Sequence, residues 1–176
     1  MMSIDIVFWM YVLLFGFIGG MRGWAKELLV TFSAILALSI NQVLRKYVPL
    51  VIGMDESDIN LFWSRIIVLT VLVYFGYQTV VSIQHLASRA VRERFQDTVI
   101  GVLLGGVNGY FIAGSALFYL DKAKYPFSQI IAAPVDPNLV TKINNMMLYM
   151  PPQLLGDPGI YFAIILAFVF IIVVYI

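Results

Sequence analysis

The sequence predicts an all-α integral membrane protein of about five transmembrane helices, with short amphipathic helices at the interface. Three observations predict it. Of 176 residues, 61% are hydrophobic and only 12% charged, about half the charge of an ordinary soluble domain. Eleven basic and ten acidic side chains cannot build a polar shell around a chain of this size, so lipid must be the solvent for much of its surface. Uncharged apolar runs near the bilayer-spanning length of about 20 residues recur along the chain.

The first run extends from about Ile4 to Met21, broken only by Asp5 at its outer end. No basic residue precedes it, so it reads as a retained anchor and not a signal peptide. A short polar turn, Arg22 to Glu27, leads into the second run, Leu28 to about Leu44, and the two predict a tight antiparallel hairpin. Arg45 and Lys46 stop that run, and Pro49, Gly53, Asp55, Glu56 and Asp58 make the next loop. Span three covers about Leu61 to Ile83, with Trp63 and Arg65 at its entrance, where a ring and a snorkelling guanidinium suit the interface.

Gln84 to Gln96 interleaves His85, Arg89, Arg92, Glu93 and Arg94 with Leu86, Ala90, Val91 and Phe95, the pattern of an interfacial helix with one basic face. Span four, Thr98 to Leu120, has Asp97 at its N-cap position. Six prolines between Pro126 and Pro158 make residues 121–159 an extramembrane segment. Within it Asp136-Pro137 marks a helix start. Leu139, Ile143, Met146, Met147 and Met150 then recur at helical spacing. This helix either lies on the membrane or a partner, or packs on its own loops. Ile160–Ile176 is the fifth span; it has no polar stop, so it is either short or continues past Ile176. The chain thus divides into a four-helix membrane domain (1–120), the proline-rich segment (121–159) and a last span (160–176).

Span four carries the most specific pattern. Asp97, Gly101, Gly105, Gly109 and Ala113 fall at intervals of four, on one nearly side-chain-free helix face that another backbone can approach closely. Gly16 and Gly20 make a shorter version in span one, and Asn108 is an amide in the glycine-rich stretch that needs a partner. These faces either pack spans one and four within one chain, or form a seam between copies or the lining of a passage. Asn108 correspondingly hydrogen-bonds a neighbouring helix.

The run Arg22-Gly23-x-x-Lys26-Glu27-Leu28 after a span beginning with Asp5, followed by Asp97-x-x-x-Gly101-x-x-x-Gly105-x-x-x-Gly109, resembles the CvpA (colicin V production) family over roughly residues 4–120. The resemblance implies a multi-pass protein of the bacterial inner membrane, linked to export and envelope phenotypes, with no established reaction. One position departs: the family usually has a basic residue just before the last glycine, and here it is Asn108.

Topology puts Arg22, Lys26 and Glu27 on the same membrane face as Arg89, Arg92, Arg94 and Asp97. Charges at a low-dielectric interface gain from pairing, so Arg22 with Asp97, or Glu27 with Arg92 or Arg94, are expected pairs, in a cluster that binds a partner or anionic headgroups. The alternative is a set of independent, solvated charges. The dense arginines between spans three and four place that loop in the cytoplasm and the N-terminus outside.

Chemistry-bearing patterns are sparse. With no cysteine, thiolate sites and thiol nucleophiles are excluded, and a single histidine removes the commonest catalytic constellations. No metal site, cofactor or catalytic residue is expected, and a net charge of +1 without a basic run argues against nucleic acid. Uncharged span middles argue against ion-coupled transport. The expected function is a non-enzymatic scaffold or accessory subunit of an inner-membrane complex. Its expected partners are membrane lipids and either other integral membrane proteins or itself. The alternatives are a homo-oligomeric channel or export component and a protein binding lipid or a hydrophobic pigment.

Overall fold

The computed structural model describes residues 3–78 and 94–175. Residues 79–93, with His85, Arg89 and Arg92 of the expected interfacial helix, lie outside the described residues, as does the Arg94 side chain. The described elements are all helical: α1 (Ile4–Arg22), α2 (Trp24–Tyr47), α3 (Pro49–Ile52), α4 (Ile59–Gln78), α5 (Arg94–Lys122), α6 (Pro137–Met147), α7 (Pro151–Leu154) and α8 (Gly159–Tyr175). Helices α1, α2, α4 and α5 are long and apolar enough to cross a membrane. With 17 residues, α8 is apolar but shorter. The all-helical membrane class therefore holds, with four full-length spans and one short apolar helix.

The organising element is α5, which touches α1, α2, α4 and α7. Lipid supplies no hydrophobic drive between helices, so close backbone approach has to do that work. Helix α1 runs antiparallel to α5 along the glycines of both. A Cβ at Gly101 would lie 2.5 Å from the Gly19 carbonyl oxygen, and one at Gly109 would lie 2.8 Å from Phe15 Cβ. At Gly105 it would run into the Phe15 carbonyl. Gly16 faces the Val102 carbonyl, and at Gly20 a Cβ would come within 2.6 Å of Val102 Cγ2. Ala113 packs against the main core cluster. By contrast Gly106 faces open space. On the far side of α2, Val30, Ala34 and Ala37 pack against Leu69 and Val73 of α4.

The proline-rich segment folds back onto the bundle. Asp136 caps α6 by accepting a hydrogen bond from the Asn138 N–H (2.9 Å), with Pro137 in the first turn. Ile143, Met147 and Met150 are buried in one cluster with Phe8, Leu117 and Phe118. Lys142 also pairs with the buried carboxylate of Asp5 on α1. Helix α6 thus packs on its own chain through Ile143 and Met147.

Two boundaries differ from expectation. The polar turn expected over Arg22–Glu27 is a single residue, Gly23, whose φ of +88° only glycine adopts cheaply. Helix α2 therefore starts three residues before Glu27. Asp97 is not the N-cap of its own helix, because Arg94, Phe95 and Gln96 before it are already helical. Its Oδ1 instead accepts the Trp24 N–H (3.0 Å), at the start of α2. The open N–H groups of α2 lie beside it, and the missing Cβ of Gly23 leaves room for its carboxylate.

At the opposite end, Glu56 receives two hydrogen bonds from Arg65 (2.7 and 3.2 Å) and lies 3.2 Å from Arg45 Nη2. The Arg65 hydrogen bonds hold its carboxyl below the usual glutamate value.

Two outcomes follow from this packing. Gly101→Val should lower stability by roughly 1–3 kcal/mol through overpacking, whereas Gly106→Ala should leave the thermal midpoint in detergent unchanged. Because the folded pKa of Glu56 is depressed, its stabilising effect is complete at neutral pH and is lost as pH falls through that depressed value. The midpoint difference between the wild type and Glu56→Gln should accordingly shrink below about pH 4.5.

Candidate functional site

Where α1, α2, α4 and α5 meet, the bundle interior holds a polar cluster. At its centre is Glu27, in the first turn of α2, with a side chain that is 0% exposed. A charge in such a place is tolerated only with a counter-charge and full hydrogen bonding. Glu27 Oε1 accepts a bond from Arg22 Nη1 at 2.6 Å, across the Gly23 turn. The Asn108 amide nitrogen donates to Glu27 Oε2 (2.7 Å) and to the Glu27 backbone oxygen (2.9 Å). Thr31, one turn along α2, donates to Asn108 Oδ1 at 2.7 Å.

Arg22 extends the cluster to the fourth helix. Its guanidinium carbon lies 4.2 Å from the centroid of the Tyr77 ring, and Nη2 donates to the Tyr77 carbonyl at 3.3 Å. A guanidinium suits this place because it is planar, always charged and able to stack while donating in several directions. Asn108 lies about 21 Å from the C-terminal end of α5 at 1.5 Å per residue. The neutral amide thus reaches the pair from well inside α5, while Arg22 and Glu27 themselves occupy the last turn of α1 and the first turn of α2, the helix ends to which the sequence confines charge.

The structure redistributes the expected charge pairs. Arg22 pairs with Glu27 and not with Asp97, which is taken up by the α2 N-terminus. A pair of Glu27 with Arg92 or Arg94 lies outside the described residues. Lys26 forms no ion pair among the described residues. Sequence patterning does not single out Thr31 or Tyr77, and it leaves Glu27 in the turn. One signal was available: continuing the α2 periodicity back to Gly23 puts Glu27, Thr31, Ala34, Leu38 and Asn41 on one face.

Both carboxylate oxygens and both amide hydrogens are engaged, so this arrangement acts as a lock between helices. No cluster of metal-ligating side chains occurs among the described residues. Fold and site together define a polytopic helical membrane protein closed on an internal ion pair. The sequence profile of the family described as colicin V production protein matches residues 4–133. The chain belongs to that family, and the match reaches past span four into the proline-rich segment. No curated protein and no solved structure matches the chain.

The site makes a graded outcome testable by unfolding in mixed micelles. Asn108→Ala should cost about 1–2 kcal/mol, the range for hydrogen bonds between model membrane helices. Arg22→Met leaves Glu27 buried without its counter-charge and should cost more, roughly 3–5 kcal/mol.

Proposed function

We propose that the chain is a non-enzymatic scaffold or accessory subunit of a larger complex in the bacterial cytoplasmic membrane, with its N-terminus outside. The observation that carries this reading is the internal use of its polar and small residues. Arg22, Glu27, Thr31 and Asn108 satisfy one another, and the glycine zipper of α5 is filled by α1. What remains on the outside is bulky and apolar: on α1, Trp9, Leu13, Phe17 and Met21 follow one another at intervals of four, each more than half exposed. Such a ridge offers contact area, which is what an assembly role requires. A channel of identical copies with α5 lining its passage is disfavoured, because the glycine face that would form it is spent within one chain.

Native mass after gentle detergent extraction tests the reading. The expected result is a defined complex containing non-identical subunits. A ring of identical chains, or a monomer carrying lipid alone, overturns it.

A further inference from the structure

At the end of the bundle opposite Gly23, a cavity of about 330 Å³ opens between α2, α4, α5 and α7. Arg45, Arg65 and Lys122 line it together with one carboxylate, Glu56. The charge balance is positive, and two of the cations are held in place. Arg45 is anchored by the backbone oxygens of Val51 and Met54 (2.8 and 2.7 Å). Arg65 is fixed by Glu56 and lies 5.2 Å from the centroid of the Tyr119 ring. Lys122 makes no ion pair among the described residues, and its ammonium is 5.2 Å from the Phe118 ring. Guanidinium groups positioned in advance are the usual recognition chemistry for phosphate oxygens. Asn41 lines the same wall with only 6% of its surface exposed, and its Oδ1 has no partner among the described residues.

The surroundings of this cavity say which phosphate fits. Leu38 of α2 and Ile160 of α8 form part of its wall. One turn further along each helix, Ile35 and Ala163 line a second, apolar cavity of about 300 Å³ between α2 and α8. That groove continues along Phe32 and Leu28 on one side and Ala167 and Phe170 on the other. A polar, cationic pocket near the C-terminal ends of α2 and α5 therefore lies one helical turn from an apolar groove running back along the bundle. A free phosphate has no use for the groove, whereas a phospholipid needs both parts.

We propose that this composite site binds one anionic phospholipid, with its phosphoryl headgroup among Arg45, Arg65 and Lys122 and an acyl chain in the α2–α8 groove. The cations set the preference for charge, and the groove sets the requirement for a chain.

The test uses the full chain, stripped of native lipid in detergent and examined by native mass spectrometry. The probes are phosphatidylglycerol, phosphatidylcholine with the same acyl chains, and inorganic phosphate. The expected result is one phosphatidylglycerol retained under conditions that remove phosphatidylcholine, with at least a tenfold loss of retention in the Arg45→Gln/Lys122→Gln variant. Ala163→Phe, which fills the groove without changing a charge, should weaken phosphatidylglycerol binding to a similar extent. It decides the matter even where the double variant does not fold. Equal retention of the two lipids, or unchanged retention in Ala163→Phe, overturns the proposal. Inorganic phosphate that displaces phosphatidylglycerol and binds Ala163→Phe and wild type alike identifies a free-phosphate site and also overturns it.

Discussion

A carboxylate enclosed by apolar helices must bring its partners with it, and in this chain Glu27 does so from four directions. Arg22 arrives from α1, Asn108 from α5 and Thr31 from its own helix, while Tyr77 of α4 supports the guanidinium. None of these groups can be satisfied by lipid, so each helix gains by reaching its place and loses if displaced. The one-residue turn at Gly23 is part of the same constraint, because it brings the last residue of α1 back over the first turn of α2. The glycines of α1 and α5 then let the two backbones approach closely enough for Asn108 to reach the α2 side. Direction comes from the ion pair and closeness from the glycines; neither alone determines how the four helices stand.

The two ends of the bundle are finished differently. At the Gly23 end, Asp97 closes the α2 N-terminus, a short contact between two helices far apart in sequence. At the other end, longer connections are tied down by charge: Glu56 with Arg65 and Arg45, Lys46 with Asp157, and Lys142 with Asp5. Surface pairs of this sort contribute little singly, but they hold the loop and the proline-rich segment over the core. The cationic cavity lies at this end and is built from the same arginines that tie down the loop.

Much of the fold was legible in the sequence, because a bilayer imposes a length and a polarity that uncharged runs reveal directly. The α6 start was legible too, since Asp136-Pro137 combines a cap with the residue favoured in the first turn. The site was read less well. Arg22 to Glu27 looks like a loop because charges usually end spans, yet a single glycine makes the whole turn, which moves Glu27 into a helix and then into the interior. Asp97 looks like the cap of its own helix, and sequence alone does not show that the α2 N-terminus is the nearer claimant. Asn108 was marked as an amide in need of a partner, but the partner depends on tertiary placement. It occupies the position where the family usually has a basic residue. Here two amide hydrogen bonds reach Glu27 from that position, and Arg22 supplies the charge.

The central claim is that Glu27 and Asn108 stabilise the bundle through each other and not independently. A double-mutant cycle of Glu27→Ala and Asn108→Ala, measured by reversible unfolding in mixed micelles, isolates that coupling. The account predicts a coupling energy of about 1 kcal/mol or more, with Asn108→Ala costing much less once Glu27 is gone. Additive losses, with a coupling indistinguishable from zero, would contradict it.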